Sequence, residues 1–164
     1  RRALRSGDAT AAVGDDFPLT IPLHRLGAWR RSVGARAFPR LRDFQHELAE
    51  RASKRCASLE RIPRVAALRD AGAAHGTWPF LLVMMPTRAA RDAALSALWT
   101  TNLGVSRLFI HALPDYDYLH AIVPKADVPN ARDFAARTLT ISNSPWLDEA
   151  RFDFLLGELR RAVE

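Results

Sequence analysis

The sequence predicts an α/β (α+β) sandwich, in which a small sheet of about three strands is covered by helices. Three short apolar segments favour strands, at 78–85, 105–110 and 138–141. Three longer segments carry apolar residues at helical spacing, at 39–59, 87–102 and 148–163. Short strands that alternate with helices in this way are typical of a sheet with a helical cover.

Length and composition bound the class of protein. The chain has 164 residues, a formal net charge of +6, 48% hydrophobic residues and a single cysteine, Cys56. A chain of this length buries roughly 70% of its unfolded surface, so one domain needs neither a disulfide nor a metal to hold its core. One cysteine excludes a disulfide framework and a cysteine-rich zinc site within one chain, and it fits a reducing, cytoplasmic setting.

The N-terminal segment has the weakest pattern. Residues 1–17 are small and polar with no sustained period, which predicts an arm, and 18–35 suggest a short strand or turn that leads into a helical stretch. The longest apolar run, 78–86, is far shorter than the roughly 18 residues that a membrane-spanning helix requires. We therefore expect no membrane span, and residues 1–17 show no signal-peptide core.

The 39–59 segment predicts an amphipathic helix of about five turns. Its apolar residues recur at helical spacing: Leu41, Phe44, Leu48, Ala52 and Leu59. Charged residues, Lys54 and Arg55 among them, take the remaining positions, and Ile62-Pro63 ends the helix.

The strands and helices that follow residue 78 are predicted largely from the residues that begin and end them. The strand at 78–85 is expected to be covered on both faces, and Thr87 lies where the N-cap of the next helix belongs. Gly104 lies where a left-handed residue closes that helix. A loop over 112–130 precedes a short helix at 130–137. For the last helix, Asp148 is the predicted N-cap, between the two members of a hydrophobic staple, Leu147 and Phe152.

Arg107 is the first candidate for a functional residue. In a strand over 105–110, period-two alternation places Arg107 on the same face as Val105 and Phe109. A guanidinium on an apolar face must find an anion, extend to water, or lie where a ligand supplies the negative charge. Both the ligand and the structural ion pair remain open. His111 follows the same strand directly, where strand ends open into clefts.

The other potentially reactive side chains are expected to have structural rather than catalytic roles. Cys56 is expected to be a buried or half-buried structural thiol, and His46 a solvated residue on the helix surface. Tyr116 and Tyr118 are expected to pack within a proline-rich loop. No two histidines share metal-ligand spacing, so no metal site is expected, and no catalytic residue is assigned.

Five segments follow one another in an order that resembles a known family. They are 78–86, a helix with Arg91-Asp92, LGVSRLF at 103–109, ARDFAARTLT at 131–140, and SPWLD at 144–148. Together they resemble the C-terminal, small-domain part of the DegT/StrS-type aminotransferases, and most closely the perosamine-synthetase-like branch. The resemblance covers about 36–164, and residues 1–35 would be the arm or connection from a missing large domain.

The resemblance implies a pyridoxal-phosphate enzyme of amino-sugar and polysaccharide biosynthesis. Enzymes of this family act on nucleotide-linked keto sugars, as homodimers in the full-length protein, with the aldimine lysine in the large domain. Lys54 and Lys125 lack the neighbours of that lysine, so the chain is expected to be inactive alone. The resemblance also implies that Ser106, Arg107 and His111 lie where the small domain approaches the substrate.

Two alternatives of other classes stay open. The first is a stand-alone α/β module that binds a small ligand at 104–120 without catalysis. The second is a basic nucleic-acid-binding domain, which the net charge of +6 suggests. The positive residues are spread along the chain rather than clustered, so no nucleic-acid partner is expected.

Overall fold

The computed structural model describes residues 23 and 25–164. The arm predicted at 1–17 and residue His24 lie outside the described residues. The helices are α1 (Ala28–Ala37), α2 (Leu41–Leu59), α3 (Arg88–Leu98), α4 (Pro129–Arg137) and α5 (Glu149–Val163). The strands are β1 (Ala66–Ala67), β2 (Phe80–Met84), β3 (Val105–Ser106) and β4 (Thr138–Ser142). Single 3-10 turns lie at Phe38–Arg40, Leu113–Asp115 and Asp117–Leu119.

The four strands form one antiparallel sheet in the order β1-β2-β4-β3, which confirms the predicted α/β class. In its centre, Leu81 of β2 lies opposite Ile141 of β4, and Val105 of β3 lies on the other side of Ile141. The sheet has four strands rather than about three. The added strand is β1, whose two alanines carry no β-branched or aromatic strand signal.

One face of the sheet holds the core. Leu81, Val83 and Leu139 are fully buried with residues of α2, α3 and α5. The alternate positions of β2 are exposed or half-buried, so the expectation that both faces of this strand are covered is wrong. An antiparallel sheet tolerates one open face, whereas a run covered on both sides is typical of parallel sheets.

The predicted N-caps of α3 and α5 are confirmed, but α3 ends at Leu98 rather than near 102, so Gly104 lies in the turn before β3 and does not close the helix. The side chain of Thr87 accepts a hydrogen bond from the backbone N–H of Ala90 at 3.1 Å, and that of Asp148 accepts one from Arg151 at 2.9 Å. Gly104 has a φ of +71°, and a Cβ there would lie 2.6 Å from the Cβ of Ser142. Glycine is therefore required at this turn both by backbone conformation and by the approach of β4.

Arg55 is buried, although the sequence pattern places it among the charged positions of α2. Its side chain is 2% exposed, and it lies over the ring of Phe152 at 4.9 Å from the centroid. The guanidinium donates hydrogen bonds to the side-chain oxygen of Asn143 at 3.3 Å and to the backbone carbonyl of Leu147. Desolvation lowers its pKa, and the nearby charge of Arg51 lowers it further. Arg55 thus joins α2 to the segment between β4 and α5.

Asn143 completes this connection. Its amide is fully buried, and its nitrogen donates to the backbone carbonyls of Leu48 and Trp78, each at 2.9 Å. Together with the bond from Arg55, the side chain links α2, the segment before β2 and the end of β4. The Arg55–Asn143 pair is a buried polar connection between α2 and the segment after β4.

The N-terminal part of the described chain leaves apolar side chains in solvent. Helix α1 buries no residue. Large apolar side chains are exposed along α1, the following 3-10 turn and the start of α2; they are Trp29, Val33, Phe38, Leu41 and Phe44. We call these five residues the N-terminal apolar strip. A concentration of exposed apolar residues is typical of a surface that contacts another protein body.

Candidate functional site

The candidate site is a cleft of about 160 Å³ between α3, the segment after β3 and α4. Its charged or titratable lining residues are Arg88, Arg91, Arg107, His111, Asp115 and Arg132, and the rest of its lining is apolar. We call it the arginine cleft. Its lining contains four arginines and one carboxylate, so its electrostatic character suits an anion.

Arg107 lies in the cleft, but not on a strand face. The predicted strand over 105–110 is too long, because only Val105 and Ser106 pair with β4. Beyond them the chain turns, and the half-buried guanidinium of Arg107 donates a hydrogen bond to the backbone carbonyl of Ile110. The ring of Phe109 packs on Phe134 of α4 at 5.5 Å. Phe109 thus contacts α4 and does not continue the pairing with β4.

Ser106 is held within the sheet. Its hydroxyl lies 2.8 Å from the hydroxyl of Thr140, its partner in the β3–β4 register, and the Thr140 hydroxyl also reaches the Ser106 carbonyl at 3.2 Å. Ser106 is not part of the cleft lining. The structure therefore brings Arg107 and His111 together in one cleft and places Ser106 beside it in the sheet.

His111 lines the cleft and is exposed. Its ring meets the ring of Tyr116 edge-on at 5.2 Å, and Tyr116 packs on Tyr118 at 5.4 Å. The two tyrosines thus pack within their loop, as expected from the sequence. They support the segment that carries His111 rather than lining the cleft.

Arg91 is the most buried cation of the cleft, and the sequence patterns did not predict its role. Its side chain is 1% exposed, and its Nε lies 2.8 Å from a carboxylate oxygen of Asp92. Burial lowers the pKa of Arg91 and the charge of Arg107 lowers it further, whereas Asp92 acts in the opposite direction. The signal was present in the sequence, because helical spacing places Arg91 on the same stripe as Ala94, Leu95 and Leu98.

Arg132 fixes the loop that borders the cleft. It forms a two-pronged ion pair with Asp115, at 2.8 and 2.9 Å, and it also contacts Asp127 at 3.0 Å. The hydrogen bonds from Arg132 are the main reason that the pKa of Asp115 lies below its ordinary value. This pair joins α4 to the 3-10 turn at Leu113–Asp115.

We expect Arg132→Gln to raise the pKa of Asp115 towards its ordinary value of about 3.9. A lowered carboxyl pKa means that the pair stabilises the fold above the unfolded-state pKa, and that this contribution is lost as the pH falls through the folded-state pKa. An NMR titration of the side-chain carboxyl carbon measures the change. Arg151→Gln, far from Asp115 along the chain, is the control. An unchanged titration of Asp115 in Arg132→Gln would contradict the pairing.

The two lysines do not form a cofactor site. Lys54 lies on the exposed side of α2 and Lys125 in the loop before α4, and both are exposed. Neither lines the arginine cleft. The described residues therefore do not fit pyridoxal phosphate, because its aldimine needs a lysine held inside a site.

Residues 23 and 25–164 show neither a metal cluster nor a membrane-spanning helix. No group of three or more His, Cys, Asp or Glu residues in this part of the chain lies close enough to hold a metal ion. Within the same residues, none of the helices has the length and apolar character needed to cross a membrane. Cys56 is buried, and burial raises the pKa of its thiol, as expected of a structural cysteine.

The four-stranded sheet and its helical cover have a counterpart among solved structures. This fold is similar to that in the crystal structure of the aminotransferase TlmJ from Streptoalloteichus hindustanus, with a TM-score of 0.64 and 21% sequence identity. The similarity covers 82% of this chain and 36% of that one, so this chain spans little more than a third of that aminotransferase. No protein-family model and no curated protein sequence matches the chain.

Proposed function

We propose that this chain is the small lobe of a pyridoxal-phosphate-dependent aminotransferase that acts on a nucleotide-linked keto sugar, in the manner of the DegT/StrS enzymes. The observation that carries the proposal is the shared fold with an aminotransferase that is much longer than this chain. The segments at 78–86, 103–109 and 131–140, which resemble the family in sequence, fall on β2, on β3 and on α4 with the start of β4, and the segment at 144–148 lies directly before α5.

The domain organisation follows from the same proposal. Residues 36–164 form the small domain, and residues 1–35 connect it to a large cofactor-binding domain. The N-terminal apolar strip supports this arrangement, because its exposed side chains lie at the end of the proposed connection and directly after it. Exposed apolar surface of this kind is stabilised when another body covers it.

The catalytic lysine and the cofactor then belong to the large domain. The small lobe contributes surface that covers the reaction centre, excludes water and positions the sugar nucleotide. Arg107 and His111 contact the substrate from the arginine cleft, and Ser106 supports them from β3. We propose a homodimer in the cytoplasm for the complete enzyme.

Reading the coding region immediately upstream of Arg1 tests the proposal directly. We expect it to encode a large domain whose lysine has serine-rich residues before it and glycine-rich residues after it. An unrelated reading frame, or a stop codon next to Arg1, would contradict the proposal.

Chemical trapping tests the assignment of the lysine. The 164-residue chain is treated with pyridoxal phosphate and borohydride, and labelled lysines are mapped by mass spectrometry. We expect no stoichiometric adduct at one defined lysine, because Lys54 and Lys125 are both exposed. The variants Lys54→Arg and Lys125→Arg are the controls for surface labelling. A stoichiometric adduct at either lysine, together with turnover, would overturn the assignment.

A further inference from the structure

We propose that the arginine cleft is a binding site for one oxyanion group, a phosphate or a carboxylate, which Arg91, Arg88 and Arg107 hold together. This site does not depend on the aminotransferase proposal, because it rests on the charges and burial of residues within this chain.

Arg91 carries the proposal. Its side chain is 1% exposed, and its Nη1 is buried without a hydrogen bond to any described residue. A buried guanidinium retains its charge, so an unsatisfied N–H group of this kind costs free energy until an acceptor reaches it. Arg91 lines the cleft, so an anion that enters the cleft is the acceptor that the geometry provides.

The carboxylates around Arg91 are already shared. Asp92 contacts Arg91 at 2.8 Å and Arg88 at 3.6 Å, so one carboxylate serves two guanidinium groups. Asp115, the carboxylate in the lining, accepts hydrogen bonds from both Nε and Nη2 of Arg132. The cleft therefore holds more positive than negative charge, and the charge of Arg107 lowers the pKa of the buried Arg91 further.

The size of the cleft sets the class of ligand. A volume of about 160 Å³ is well below the roughly 300–1,000 Å³ of a pocket for a whole drug-sized molecule. It accommodates one small anionic group with its waters. Arginine binds phosphate and carboxylate oxygens through parallel N–H donors, which is the chemistry that these side chains present.

The test is calorimetric titration of the 164-residue chain with inorganic phosphate at low ionic strength, with acetate and uridine diphosphate in parallel titrations. We expect saturable binding with one site per chain. Binding of phosphate and uridine diphosphate would identify a phosphate site, and binding of acetate alone a carboxylate site. No saturable binding of any of the three anions would overturn the proposal.

Matched variants distinguish a specific anion site in the cleft from non-specific attraction of anions to the positively charged chain. We expect Arg88→Gln and Arg107→Gln to weaken binding about tenfold each, because each removes a charged donor. Arg91→Met, which fills the same space without charge, should abolish binding and still unfold cooperatively. Arg160→Gln removes an exposed charge at the end of α5 and should leave the affinity unchanged. An equal loss in Arg160→Gln and Arg88→Gln would overturn the proposal.

Discussion

Arg55→Ala is expected to lower the free energy of unfolding by about 2–5 kcal/mol, as measured by urea denaturation. The substitution removes a cation that lies on Phe152 and that donates to Asn143 and Leu147. The acceptors it leaves behind are buried, so water cannot replace the lost donors without opening the core. The truncated side chain also leaves a void between α2 and α5.

A neighbouring residue provides the control for this experiment. Lys54 precedes Arg55 on the same helix but is exposed, so Lys54→Ala should change the free energy of unfolding by less than about 0.5 kcal/mol. Arg55→Lys keeps the charge but loses the planar set of guanidinium N–H donors, so we expect a loss of unfolding free energy between those of Arg55→Ala and Lys54→Ala. Equal stability of Arg55→Ala and Lys54→Ala would contradict the buried position of Arg55.

Asn143→Ala is expected to cost about 3 kcal/mol in the free energy of unfolding. The amide donates to the buried carbonyl of Leu48 and to the part-buried carbonyl of Trp78, and it accepts from Arg55. Its loss leaves all three groups unsatisfied at once. Urea denaturation measures this effect on the same scale as the Arg55 variants.

A double-mutant cycle tests whether the two residues act as one unit. Because Arg55 and Asn143 share a buried hydrogen bond, the double variant should lose less than the sum of the two single losses. We expect the difference to be about 1 kcal/mol or more. Additive losses would show that the two side chains stabilise the fold independently.

The parts of the fold that the sequence predicted are those with a periodic pattern or a capping residue. The stripe of α5 and the caps Thr87 and Asp148 are local signals, and local signals survive in the structure. β1 lacked such a signal. Its two alanines have no intrinsic strand preference and form a strand through their backbone pairing with β2. The segment 105–110 showed strand character throughout, yet the strand ends after Ser106, where Arg107 bonds back to Ile110 and Phe109 packs on Phe134.

The candidate site was predicted only in part, for a related reason. Arg107 and His111 follow a strand end, which marks them in the sequence, and the structure places both in one cleft. Arg88 and Arg132 come from α3 and α4, and nothing local to either helix indicates that they line one cleft. Arg91 was detectable, since a charged residue on the apolar stripe of a helix must be buried with a partner or beside a ligand.

The outer strands of the sheet have a consequence for how the chain behaves at high concentration. β1 and β3 lie at the two edges and are each only two residues long. An edge this short exposes few unpaired backbone groups, so it is a poor template for a strand from another molecule. The sheet is thereby protected against aggregation through edge-to-edge pairing, even though one face of β2 remains partly open to solvent.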